Sequence, residues 1–389
     1  MNIAECVVVS GGFDPIHVGH LRMFKEASEL APRLIVIINS DNFLIETIGQ
    51  SVLGENISVI KIGSGKTKIL MWSQMHGNES TTTKAVLDLC NLFNDSSENE
   101  IKSILKACTI AIIPMLNPDG AKAYTRLNAN EIDLNRDAQD LSQPESVALR
   151  NFFNKFKPGF CFNLHGQRTI FSAGNINKPA TVSFLAPAQD EACTVTDNRK
   201  IAMAIIVKMN KNLQLQIPKQ VGIYDDAFNI NCVGDTFQSY NVPTVLFEAG
   251  HFEGDYNREV VREYIFQSLL IAIHYIASNQ LDGEGYEDYF KIPENEKRFY
   301  DIIIRNAKVE LDNKEQILDI AIQYQETLVD NELKFIPKVE QISDLKHFFG
   351  HNEIDAEEKT VLNSNKKNIA EGNENDFVYI GNEIFSIIL

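Results

Sequence analysis

The chain has 389 residues, room for two or three domains, and at 44% hydrophobic and 23% charged its composition is that of a globular protein. Its apolar runs fall short of the roughly 20 residues that span a bilayer. A net charge of −17 argues against nucleic acid or an anionic membrane surface as a partner, because phosphate binding needs a local excess of Lys and Arg, and points to small substrates.

The N-terminus, MNIAECVVVSGGFDP, shows no basic segment ahead of an apolar stretch and no small-residue cleavage site, so a cytoplasmic location is expected. Cys6, Cys90, Cys108, Cys161, Cys193 and Cys232 are scattered without CxxC spacing, which suits reduced thiols better than disulfides or a thiolate metal site.

In chain order, residues 1–44 predict a strand at 6–10, a helix at 21–30 and a strand at 34–39, one β–α–β unit. Residues 45–280 alternate apolar strands (69–73, 109–115, 160–164, 182–186, 244–248) with helices (83–94, 145–155, 199–213, 258–277). Strands apolar throughout, separated by helices, imply an α/β fold with a mainly parallel mixed sheet covered on both faces. Ligands then gather at the carboxyl ends of the strands. Residues 281–389 turn β-like, at 300–309, 317–324 and 333–339, and predict a small β-rich accessory domain with a mobile polar loop near 355–376.

The strand at 69–73 leads into Met75-His76-Gly-Asn-Glu79, and the strand at 160–164 leads into His165. Two zinc-competent residues close in sequence and a distant third, all at strand ends, can converge on one edge of a parallel sheet. Three protein ligands with a fourth position for water is the pattern of a catalytic zinc. H-x-x-E alone is weak, since a chance surface pair gives the same letters. Its context includes Asn117-Pro-Asp-Gly120, the run Arg126-Leu-Asn-Ala-Asn-Glu-Ile-Asp-Leu-Asn135-Arg136, and Val245-Leu-Phe-Glu248, a carboxylate closing an apolar strand.

In that order these motifs resemble the zinc carboxypeptidase family over about residues 45–280. The resemblance implies one Zn2+ per chain held by His76, Glu79 and His165, with Glu248 as general base. It implies further that Arg126 polarises the scissile carbonyl and that Asn135 and Arg136 grip the terminal carboxylate of a peptide or acyl-amino-acid substrate. A planar guanidinium suits that grip, which makes an exopeptidase. The competing role for Arg126 and Arg136 is ion pairing with Asp133 and Asp137. The family's mobile tyrosine has Tyr224 as its nearest candidate, which a buried ring would explain equally. Asp235 falls near the floor of the family's specificity pocket, where it would favour a cationic terminal residue; the alternative is a cap for a helix starting near Thr236. His251, His274, His347 and His351 match no family position and read as structural or exposed.

A second motif, Gly11-Gly-Phe-Asp-Pro-Ile-His17-Val-Gly-His20, resembles the H-x-G-H signature of cytidylyltransferase-like nucleotidyltransferases. A single β–α–β unit supplies neither the later strands nor a base pocket. Nucleotidyl transfer, and a silent binding module on a peptidase fold, stand as the alternatives to hydrolysis.

Overall fold

A computed structural model describes residues 43–94, 98–311 and 313–389, together with the backbone of Val7–Gly11 (β1) and Leu34–Ile38 (β2). β1 and β2 pair in parallel, Val7 opposite Leu34. The helix expected at 21–30 and the His17 and His20 motif lie outside the described residues.

Next along the chain come the strands Phe43–Gln50 (β3), Asn56–Ile62 (β4) and Thr67–Ser73 (β5), and the helices Thr81–Asn94 (α1) and Asn99–Ala107 (α2). Cys108–Ile113 (β6), helix Pro118–Ala123 (α3), helix Pro144–Phe156 (α4) and strand Phe160–Gly166 (β7) follow. Then come Phe171–Ala173 (β8), Val182–Leu185 (β9), helix Asp197–Leu213 (α5), Val221–Ile223 (β10), helix Val233–Ser239 (α6), Thr244–Ala249 (β11) and helix Glu259–Ser278 (α7).

Eight of these strands form one mixed sheet in the order β10-β9-β11-β7-β5-β6-β4-β3. The centre, β11-β7-β5-β6, is parallel; β9 and β4 join it antiparallel. Ile69, Leu70, Met71 and Trp72 of β5 are all fully buried, as a strand covered on both faces requires. One face packs on Ala85, Val86, Leu89 and Phe93 of α1, spaced for one side of a helix, and the other on Leu149, Phe152 and Phe153 of α4. Helix α7 is long and apolar enough by composition to cross a membrane, yet here Val261, Ile265, Leu269 and Ile273 are fully buried in the core.

β3 and β4 escape the sequence reading, which assigned nothing at 45–68. They are an antiparallel pair at the sheet's edge, where burial alternates and no long apolar run marks them.

The C-terminal part holds two further sheets. Phe299–Leu311 (β13, after the short strand Asn295–Lys297, β12), Lys314–Val329 (β14), Glu332–Ser343 (β15) and Phe349–Asp355 (β16) form one in the order β15-β14-β13-β16. Val361–Leu362 (β17), Phe377–Ile380 (β18) and Glu383–Ser386 (β19) form the other and enclose a core with it. In the polar stretch expected to be a mobile loop, Asn373 O accepts from Val339 N at 2.9 Å, and Asn363 and Asn375 side chains accept backbone N–H groups.

Candidate metal centre and substrate cleft

β5 ends in a turn with Gln74 left-handed (φ 49°), held where Gln74 Nε2 donates to Gly77 O at 2.7 Å and Gln74 Oε1 accepts from Thr83 Oγ1. A side chain at Gly77 would place its Cβ 1.9 Å from the Gly120 backbone, so the H-G-N-E turn and the N-P-D-G turn need their glycines to lie against each other. His165 closes β7, directly beside Glu248 of β11 in the parallel register.

These turns bring the three proposed ligands together. His76 Nδ1 and Glu79 Oε1 are 2.8 Å apart, His165 Nδ1 and Glu79 Oε2 3.0 Å, and the two Nδ1 atoms 3.2 Å. One donor atom from each residue falls within 4.8 Å of the others. Two imidazoles and a carboxylate converging through their donor atoms fit a zinc ion with one position left for water or substrate.

Asp133 completes the arrangement. Its Oδ1 lies 3.0 Å from His76 Nε2, and its Oδ2 accepts from Arg126 Nε at 3.1 Å and Nη2 at 3.0 Å. A carboxylate on the far nitrogen fixes the tautomer that leaves Nδ1 for a metal. The sequence reading placed Asp133 only as an ion-pair partner; the Asp in D-L-N-R at the start of a one-turn helix was the available signal. The alternative pairing of Arg126 with Asp133 is therefore present, but Asp137 accepts from Ser142 and Gln143 and not from Arg136 among the described residues.

The buried charges here act on one another. Burial would raise the Glu79 carboxyl, but the His76 charge and the His165 hydrogen bond outweigh it and hold it well below the usual carboxylate range. Burial opposes protonation of His76 too, yet Glu79 and Asp133 raise it, whereas burial wins at His165 and lowers it. Burial and the neighbouring Glu79 charge push Glu248 well up, and its Oε2 has no hydrogen-bond partner among the described residues.

A cleft of about 860 Å³ surrounds these groups and contains every predicted site residue. Arg136 Nη1 donates to Asn135 O (2.7 Å) and Cys232 Sγ (3.1 Å), with no carboxylate on it among the described residues. Asn135 Oδ1 accepts from Val233 N at 3.0 Å, which leaves its amide nitrogen for the cleft. Tyr224 packs its ring 5.4 Å from Phe171, and burial with the Glu248 charge raises its hydroxyl. Asp235 does not cap a helix near Thr236: α6 begins at Val233, and the Asp235 carboxylate, in its first turn, accepts from Asn229 N at 3.1 Å. Burial lifts it to about 6.

Residues not singled out from sequence also line the cleft. Asn163, two positions before His165 on β7 and so on the same strand face, is fully buried with neither amide atom bonded among the described residues. A β-domain wall contributes Asp301, Gln323, Tyr324, Gln325, Glu326 and Phe335. Glu326 ties it to the start of α7 and the end of α3 by pairing with Arg258 at 3.0 Å and accepting from Tyr124 Oη. His274 and His347 are exposed, while His251 and His351 face each other at 4.3 Å where the two parts meet.

The family described as zinc carboxypeptidase matches residues 37–241, and one described as cytidylyltransferase-like matches residues 8–53. Glu248 lies beyond the first match. Carboxypeptidase SOL1 of Arabidopsis thaliana is 30% identical over 199 residues, 46% of this chain and 40% of that protein, so the chain spans less than half of that relative. A metallo-carboxypeptidase from Burkholderia cenocepacia superposes with a TM-score of 0.50 at 18% identity, covering 67% of this chain and 69% of that one. A Shewanella denitrificans OS-217 protein described as a carboxypeptidase A gives 0.53 at 17%, with the same coverage. These structures share the fold.

Proposed function

Because the chain belongs to the zinc carboxypeptidase family, we propose that it is a zinc-dependent metallocarboxypeptidase that hydrolyses the C-terminal peptide or amide bond of its substrate. The observation that carries this reading is the convergence of His76, Glu79 and His165 beside a Glu248 carboxylate whose buried Oε2 has no hydrogen-bond partner among the described residues.

His76, Glu79 and His165 would hold the ion. Zinc bound there supplies Lewis acidity to a carbonyl and brings a water's pKa to about 7. Glu248 takes the proton of the attacking water and returns it to the leaving amine; its raised proton affinity suits a group that must do both. Arg126, held on Asp133, presents fixed positive charge to the oxyanion as it develops. The Arg136 guanidinium, with no carboxylate on it among the described residues, and the Asn135 amide receive the terminal carboxylate. The Tyr224 hydroxyl stays protonated and available as a donor.

The nucleotidyltransferase reading gains from the match at 8–53 but loses residues to the hydrolase fold. β3, Phe43–Gln50, within that match, is spent as the edge strand of the eight-stranded sheet.

The test compares peptides identical except for a free or amidated C-terminus. The wild type should cleave only the free acid efficiently, and Arg136→Ala should lose the distinction. Equal cleavage of both by wild type contradicts the clamp and the exopeptidase reading.

A further inference from the structure

Part of the cleft wall is built from the edge of a strand. β14 pairs with β15 all the way to Val329 opposite Glu332, but its pairing with β13 ends at Ile302 opposite Ile322. From Gln323 onward no strand pairs with the other edge of β14 among the described residues, β13 running on to Phe299 in pairing with β16 alone. The Tyr324 N–H points to that edge, where the Asp301 carboxylate accepts it at 2.7 Å. Backbone groups in an antiparallel strand alternate sides with period two, so Glu326 and Leu328 present their N–H and C=O in the same direction as Tyr324. Consecutive residues Gln323 to Glu326, from both strand faces, line the cleft, as a strand seen edge-on must.

This edge and the carboxylate clamp line the same cleft. Asn135 N donates to Asp133 Oδ1, Asp133 touches His76, and Glu79 holds both histidines and Gly166 N. Gln167 O then accepts from Arg258 Nη1, and Arg258 pairs with Glu326. The hydrogen-bond chain runs clamp, metal triad, β14 edge. With a substrate's terminal carboxylate on Arg136 and its scissile bond at the triad, the β14 edge is a part of the same cleft wall able to pair with upstream backbone.

We propose that the free edge of β14 receives the upstream segment of the substrate as an added strand, making the substrate an extended polypeptide tail and not an acyl-amino acid or dipeptide. Main-chain hydrogen bonds along an open strand edge supply affinity with little dependence on sequence. The edge would otherwise be a template for unwanted pairing, which proteins usually blunt. The inference rests on the peptidase reading above.

The experiment uses the zinc-loaded full chain and a dipeptide and an octapeptide sharing the same terminal residues. The octapeptide should show kcat/KM higher by roughly tenfold or more, the worth of one or two added backbone hydrogen bonds. Single N-methylation along its upstream backbone should erase the gain at alternate positions only, a period-two signature that needs no protein variant. Leu328→Pro removes one outward N–H on an edge that tolerates proline, and should shrink the octapeptide-to-dipeptide ratio by about fivefold. No gain with length, N-methylation effects without period two, or an unchanged ratio in Leu328→Pro overturns the inference while leaving the peptidase reading intact. Failure to cleave any free-acid peptide overturns both.

Discussion

Replacing Asp133 by Asn isolates the electrostatic half of the metal centre. Asn keeps an oxygen for the Asn135 N–H that Asp133 Oδ1 accepts at 2.9 Å, so the one-turn helix carrying Asn135 and Arg136 keeps its start. It removes the negative charge 3.0 Å from His76 Nε2 and the partner of Arg126. His76 keeps an acceptor for its Nε2–H but loses the charge that raises its basicity, and such changes weaken metal binding by about 10- to 100-fold. Arg126, whose side chain is 46% exposed, keeps only a 3.4 Å contact with Glu79 and samples more conformations. The expected result is a zinc dissociation constant raised about 10- to 100-fold in a chelator competition, and a kcat/KM that stays depressed even at saturating zinc. Unchanged affinity, or full recovery of kcat/KM with added zinc, would refute the role given to Asp133.

Glu248→Gln should keep zinc and fold but lose about 10²- to 10⁴-fold in kcat, because the amide cannot take the proton; a loss below roughly tenfold removes Glu248 as the base. Asp235→Asn should cut kcat/KM for Lys- and Arg-terminated peptides by on the order of tenfold and spare apolar termini. As burial lifts Asp235 to about 6, the wild-type preference for cationic termini should be present above that pH and fade below it; a preference for bulky apolar termini at pH 8 would contradict the pocket role. His251 and His351 are buried neutral, lowered by burial to about 2 and about 4. Their contribution is whole above the unfolded value near 6.5 and falls with pH, by about 1.4 kcal/mol per histidine one unit below it. Urea midpoints between pH 7 and pH 5 should therefore fall, and fall less in His351→Gln; equal slopes would count against it.

The convergence of His76, Glu79 and His165 was legible because each segment follows an apolar strand, and carboxyl ends of parallel strands share one edge of the sheet. His76, His165 and Glu248 needed only that rule and the order of the motifs. Asp133 needed the 117–136 segment to fold back over β5, and nothing local distinguishes a carboxylate that supports a histidine from one that pairs with a nearby Arg. Asn163 was within reach, since period two puts it on the face of His165. The β-domain wall was not, because Gln323 meets Thr169 across 154 residues and no pattern within either segment announces the contact. β3 and β4 were missed for a different reason, their alternating edge pattern being read against a template of continuous apolar runs.

Metal stoichiometry of the purified chain, measured by mass spectrometry beside His165→Ala, bears most directly on the central claim. One zinc per wild-type chain, and its loss together with activity in His165→Ala, is the predicted result. A His165→Ala protein that keeps stoichiometric zinc and full turnover would contradict the metal centre described above.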